Sequence, residues 1–350
     1  MGSMKTHTYI ATTVSAIAIL VVVIGQGIVS AQGSSATSTP PAPPPTASAA
    51  PQVMVTNTPR SNAGAPPLTT SFTQADLKLL TGNVQRPNGL VWFDGKLFAA
   101  CTGDWTIYEI DAETGVTAQY IYGPKNAHAM VAKAGQSNTS LWIPDFQSNT
   151  VIEITQGVVK TVASNMEGPW GIVAFDDTQF LVTNLRGNNV VLVGAAEPKQ
   201  VISQLRSPTG IALDDGYIYV ANTGSARRAI EWYSTDGLVE QTEPIDAEAQ
   251  NESHALVSGL QNVTNITMAA DDLLYFSYSL GTRGVVGRVN PETCRENGGC
   301  SSEQVEIVVY SELAAPLSGL TISSDMELFI HSIFSPEIYW VDLTTTPTGN

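Results

Sequence analysis

From Thr70 to Leu343 short apolar runs, rich in β-branched and aromatic residues, are cut by glycine, aspartate and asparagine turns. Runs such as TIYEI alternate apolar and polar positions, whereas KLFAAC and FLVTN are apolar almost throughout. Alternation with period two sets one face of a strand against a core, and short unbroken apolar runs suit strands buried on both faces. No apolar stripe at helical spacing extends over more than three turns in this region, which excludes α/β layouts.

The runs also recur. SPTGIALDDGYIYVANTG (Ser207–Gly224) is echoed by RPNGLVWFDGKLFAACTG (Arg86–Gly103), by GPWGIVAFDDTQFLVTN (Gly168–Asn184) and, more weakly, by LSGLTISSDMELFIHS (Leu317–Ser332). Gly89, Gly171, Gly210 and Gly319 anchor these copies. The longer gaps between anchors hide two further units, with Ala129 and Ile266 in the glycine slot. Six units of about 40 residues, each of four short strands, describe a six-bladed β-propeller. The sixth unit stops after three strands. DLKLLTG (Asp76–Gly82) is the spare strand that closes the last blade and covers its open edge.

The motif P-x-G-I/L-x, then D-G or D-D, then I-Y-V-A-N-T-G resembles NHL-repeat propellers and the senescence-marker-protein/gluconolactonase group. Pro208–Gly224 and Pro87–Cys101 carry it best, with Pro169–Asn184 close behind. Such propellers host hydrolases, lyases and plain scaffolds, so the resemblance speaks to architecture before activity.

In such a ring the start of each innermost strand faces the channel mouth. The residues before the glycine slot are Asn88, His128, Trp170, Thr209, Asn265 and Ser318; the ends of the second strands add Cys101, Asp145, Asn184, Asn222, Tyr278 and either His331 or Ser332. Resemblance to the gluconolactonase group implies a divalent metal, calcium or another, held by axial oxygen ligands and polarising a lactone carbonyl. Asn88 and Asn265 would supply amide oxygens of the kind calcium accepts, with Asp145 the one carboxylate. The other axial carboxylates of that group are missing here, which weakens the metal reading.

His128 reads as a general base or zinc ligand partnered by Asp145 or His331, or as a histidine hydrogen-bonded within the funnel. Trp170 reads as a stacking platform for a ligand or as packing between blades. Cys101, inside LFAAC, reads as a buried free thiol, and Arg227-Arg228 as surface or inter-blade ion-pair residues. His254 sits in an insertion, EPIDAEAQNESHALVSG, that reads as an exposed acidic loop.

Charge and the N-terminus set the context. Thirty-two acidic against 16 basic residues give a net charge of −16. No basic footprint for nucleic acid is present. Tyr9–Val29 is apolar and followed by Val29-Ser30-Ala31, which reads as a cleaved signal or, at about 31 Å as a helix, as an uncleaved membrane anchor. The chain therefore divides into signal or anchor (1–31), disordered Pro/Ala/Ser/Thr-rich linker (32–71), propeller (72–345) and tail (346–350). Either reading of the leader sends the propeller out of the cytoplasm. There Cys294 and Cys300, bracketing RENGG, would close a small disulfide loop. Of the sequons at Asn138, Asn251, Asn262 and Asn265, Asn251 is the expected glycan acceptor in a eukaryotic secretory pathway. The resulting expectation is an exported binding or scaffold module that engages a protein, glycan or small ligand. The alternative is a metal-dependent hydrolase or lyase, such as a lactonase, acting at the funnel.

Overall fold

The computed structural model describes residues 70–135, 138–194, 197–249, 254–333 and 335–348. The expected signal or anchor, the body of the linker and Asn251 lie outside the described residues. No described helix is long and apolar enough to cross a membrane.

Six sheets follow one another around a ring. Blade one runs from channel to rim as Pro87–Phe93, Lys96–Cys101, Thr106–Asp111 and Thr117–Tyr122. Blade two is Val131–Ala134, Thr139–Asp145, Thr150–Thr155 and Val158–Ala163. The inner strands of blades three to six are Pro169–Ala174, Pro208–Asp214, Gln261–Met268 and Leu317–Ile322. Lys78–Thr81 pairs antiparallel with Ile338–Asp342 and completes blade six, as the spare strand in the sequence requires.

Three blades carry more than the expected four strands. Ile245–Asp246, Cys300–Ser301 and Phe72–Thr73 add short parallel fifth strands to blades three, four and five. The insertion read as an exposed acidic loop is therefore partly sheet: it supplies Ile245–Asp246 and runs into Ala255–Ser258, the fourth strand of blade four. The His254 ring lies 4.5 Å from that of Tyr233. Cys294 and Cys300 form the expected disulfide, between a short helix (Pro291–Glu296) and the fifth strand of blade four. Cys101 is a buried free thiol, pushed up to about 12 chiefly by burial.

The core is divided. Six apolar clusters form, and each fills the wedge between two neighbouring blades: Leu97 and Ala99 meet Phe329 and Ile338, for example, and Phe98 and Ile107 meet Leu141 and Ile143. The glycine slot marks where inner strands approach backbone to backbone. A Cβ on Gly171 would stand 2.3 Å from the Thr209 carbonyl oxygen, and one on Gly210 would stand 2.7 Å from the Ile266 nitrogen.

Side-chain hydroxyls stitch the same joints. Thr183 donates to the Thr209 carbonyl (2.6 Å), Thr209 to Val263 (2.8 Å) and Thr264 to Leu317 (2.6 Å). The ring closes through His331 Nε2, 2.8 Å from the Asn88 carbonyl, and the Gly89 amide, which donates to Ala127 (3.1 Å).

Gly171→Ala is expected to destabilise the ring by about 1–3 kcal/mol, read as a lower urea midpoint, because the Thr209 carbonyl has no room to retreat. Gly82→Ala, whose Cβ would meet nothing nearer than Glu337 Cγ at 3.9 Å, should stay within about 0.5 kcal/mol. Equal midpoints for both variants would show that the inner strands are not so tightly apposed.

Candidate functional site

The upper mouth of the channel opens into a cavity of about 570 Å³. Asn88, His128, Trp170, Thr209 and Ser318 line it, so five of the six residues before the glycine slot converge. The sixth does not. A register irregularity between Gln261 and Asn265 moves blade five along, and Asn262 and Thr264 take the mouth position. Asn265 lines the lower channel and donates to the Ser318 carbonyl at 2.7 Å, an environment that leaves no room for a glycan.

The second layer has a different task. The Asp145 carboxylate, 4% exposed, accepts the backbone N–H groups of Lys125 (3.0 Å), Asn126 (3.1 Å) and Gln147 (3.1 Å). Asn184 Oδ1 accepts the Glu167 amide at 3.3 Å, and Asn222 Oδ1 accepts the Arg206 amide at 3.1 Å. In three successive blades this side chain ties down the turn that leads into the inner strand. None of the three lines the cavity.

His128 and Trp170 occupy the joint between blades two and three. Their rings stack face to face, with centroids 3.4 Å apart and planes within 7°, and Phe146 meets both edge-on. Among the described residues no side-chain hydroxyl joins the inner strands here as Thr183, Thr209 and Thr264 do at the next three joints, and Ala129 stands in the glycine slot. Trp170 is thus packing and cavity wall at once. Its indole N–H is covered and has no acceptor among the described residues.

His128 is 8% exposed. Burial, with a smaller contribution from nearby His331, holds it down to about 3 against an ordinary 6.5, and Asp145 opposes the shift only weakly. The ring is therefore neutral at physiological pH. Nδ1 is covered and unpartnered, whereas Nε2 is not among the covered atoms. A buried N–H without an acceptor is rarer than an under-used acceptor, so the favoured tautomer keeps its proton on Nε2. His331 is fully buried and also lowered by burial; its bond to the Asn88 carbonyl makes it part of the blade closure.

The donor set decides what the mouth can hold. Asn88 Nδ2 donates to Asn126 Oδ1 at 2.9 Å, and the Thr209, Thr264 and Ser318 hydroxyls are turned to backbone carbonyls. The charged side chains in the lining are Arg86 and Lys125, and no carboxylate is among them. No group of three or more His, Cys, Asp or Glu residues suited to a metal occurs among the described residues. Calcium takes six to eight oxygens and draws its affinity from carboxylates, so this mouth does not fit it. Of the sequence-expected ligands, Asp145 spends its carboxylate on backbone amides away from the mouth and Asn265 lies in the lower channel, so only Asn88 reaches the cavity.

Among the lining residues that the glycine slot does not signal are Arg86 and Trp105, the latter 41% exposed. Aligning the repeats on their hydrogen bonds would have found them. The Thr102, Leu185 and Thr223 amides donate to the carbonyls of Arg86, Gly168 and Ser207, so those three are equivalent. The Gly123, Met166 and Leu205 amides donate likewise to Trp105, Asn149 and Asn188.

No protein-family model and no curated protein matches the chain. Solved structures do. A gluconolactonase from Xanthomonas campestris aligns at 14% identity over 79% of this chain and 97% of its own, with a TM-score of 0.58. Regucalcin from Agrobacterium tumefaciens, a calcium-binding protein, aligns at 12% identity over 78% and 95%, also at 0.58. A PQQ-bound aldose sugar dehydrogenase from Streptomyces coelicolor aligns at 14% over 75% and 97%, at 0.52. Identities this low speak to the fold. The chain is a six-bladed β-propeller, closed by its N-terminal strand, of the architecture that gluconolactonase and regucalcin also adopt.

Proposed function

We propose that the protein is an enzyme of hydrolase or lyase type that takes a small molecule into the upper mouth. The observation that carries this reading is His128: a neutral imidazole, stacked on Trp170 and with no hydrogen bond at Nδ1, set in the wall of a formed cavity. Water attack on an ester or lactone carbonyl places negative charge on the carbonyl oxygen. Proton removal beside a carbonyl, the first step of an elimination, does the same. A fixed N–H donor in a partly dry site stabilises that charge without reorganising. His128 Nε2–H is such a donor, held rigid by the Trp170 stack. No step is assigned to a metal, because the lining does not suit one. The enzymatic fold neighbours lend support, and a built cavity favours this reading over that of a plain binding module. Export fits the same picture, since the Cys294–Cys300 disulfide suits an oxidising compartment.

A panel of lactones and aryl esters tests the proposal. His128→Gln, with its fold checked by the urea midpoint at pH 7, is expected to lower kcat about 10²–10³-fold on any substrate turned over. Turnover that survives in the variant would remove His128 from the chemistry, and no turnover across the panel would return the cavity to a binding role.

The same residue has a signature in stability. Its folded pKa lies below the unfolded value, so the unfolded chain binds the extra proton first as pH falls. Wild type should therefore lose stability between pH 6.5 and about 3 more steeply than His128→Gln, with parallel curves above 6.5. Urea midpoints across that range measure it, and identical slopes would mean that His128 is not buried as described.

A further inference from the structure

From the same cavity we infer that the ligand is an anion carrying a flat ring, of the aryl carboxylate class; the inference rests on the mouth being the ligand site. The first observation is charge. In a chain of net charge −16 the charged side chains in the lining are Arg86 and Lys125, both exposed and without an acidic partner among the described residues. The Asn126 oxygen accepts from Asn88, which leaves the Asn126 amide N–H₂ as a further donor beside the two cations.

The second observation is backbone geometry. Arg86 has φ of 56° where equivalent repeats place Gly168 and Ser207, and Trp105 has φ of 58° where they place Asn149 and Asn188. Glycine and asparagine tolerate this left-handed region; a bulky side chain there is held against its preference. Both strained residues face the same cavity, and Lys125 Nζ lies 5.8 Å from the Trp105 ring centroid. A planar ring laid on the exposed indole would present its carboxylate to the guanidinium and ammonium groups, in the bidentate manner arginine favours.

The sister repeats supply variants that fit the backbone: Arg86→Ser and Trp105→Asn. Calorimetric titration with 2-naphthoate and its uncharged isostere 2-naphthamide is the test. Wild type should bind the acid about three- to tenfold more tightly than the amide, with the difference shrinking as salt is raised. Arg86→Ser/Lys125→Gln should abolish the preference, and Trp105→Asn should weaken both ligands together. Equal affinities for acid and amide, no binding of the acid, or a preference that survives loss of both cations would overturn the inference. The enzymatic proposal is read separately: turnover of neutral lactones without anion preference leaves it standing and this one fallen, and anion binding without turnover does the reverse.

Discussion

The structure depends on how closely neighbouring inner strands approach one another. Six wedge-shaped clusters supply the apolar burial, but none of them fixes how near the blades come at the axis. That spacing is set where a missing Cβ lets one backbone lie against the next and a threonine hydroxyl or histidine nitrogen reaches across. Several of the groups lining the channel are spent in the same way on neighbouring backbone.

The site emerges where that rule is relaxed. At the joint of blades two and three an alanine fills the glycine slot, and aromatic stacking replaces the hydroxyl bridge. Stacked rings hold two strands together without consuming the nitrogens of the imidazole. The same joint can therefore support the ring and leave a polar group unspent. The contrast with Asp145, whose charge is absorbed by backbone amides, shows how little a residue type reveals until its neighbours are known.

Much of the architecture was legible because each blade repeats one message. Period, strand number, the closing strand and the Cys294–Cys300 pair all follow from spacing and turn chemistry. The fifth strands were not legible: a two-residue parallel pairing leaves no pattern. Asn265 was misplaced because a bulge inside one strand shifts register without changing composition. Arg86 and Trp105 escaped because their importance lies in departing from the repeat. That is visible only after the hydrogen bonds have aligned the units.

The closing strand has a consequence of its own. Lys78–Thr81 pairs with a strand some 260 positions later in the chain, so blade six is a seam rather than a hairpin stack. Such long-range pairing is the slow part of folding, since the loop must be closed before any contact rewards it. A nascent chain presents five blades with two unsatisfied flanks until its last strands arrive. Thr348 lies against Asp76, which places both margins of the ring at one point on the rim. The seam is thus a choice of starting position on a circle: the same disc could be written beginning at any of its turns.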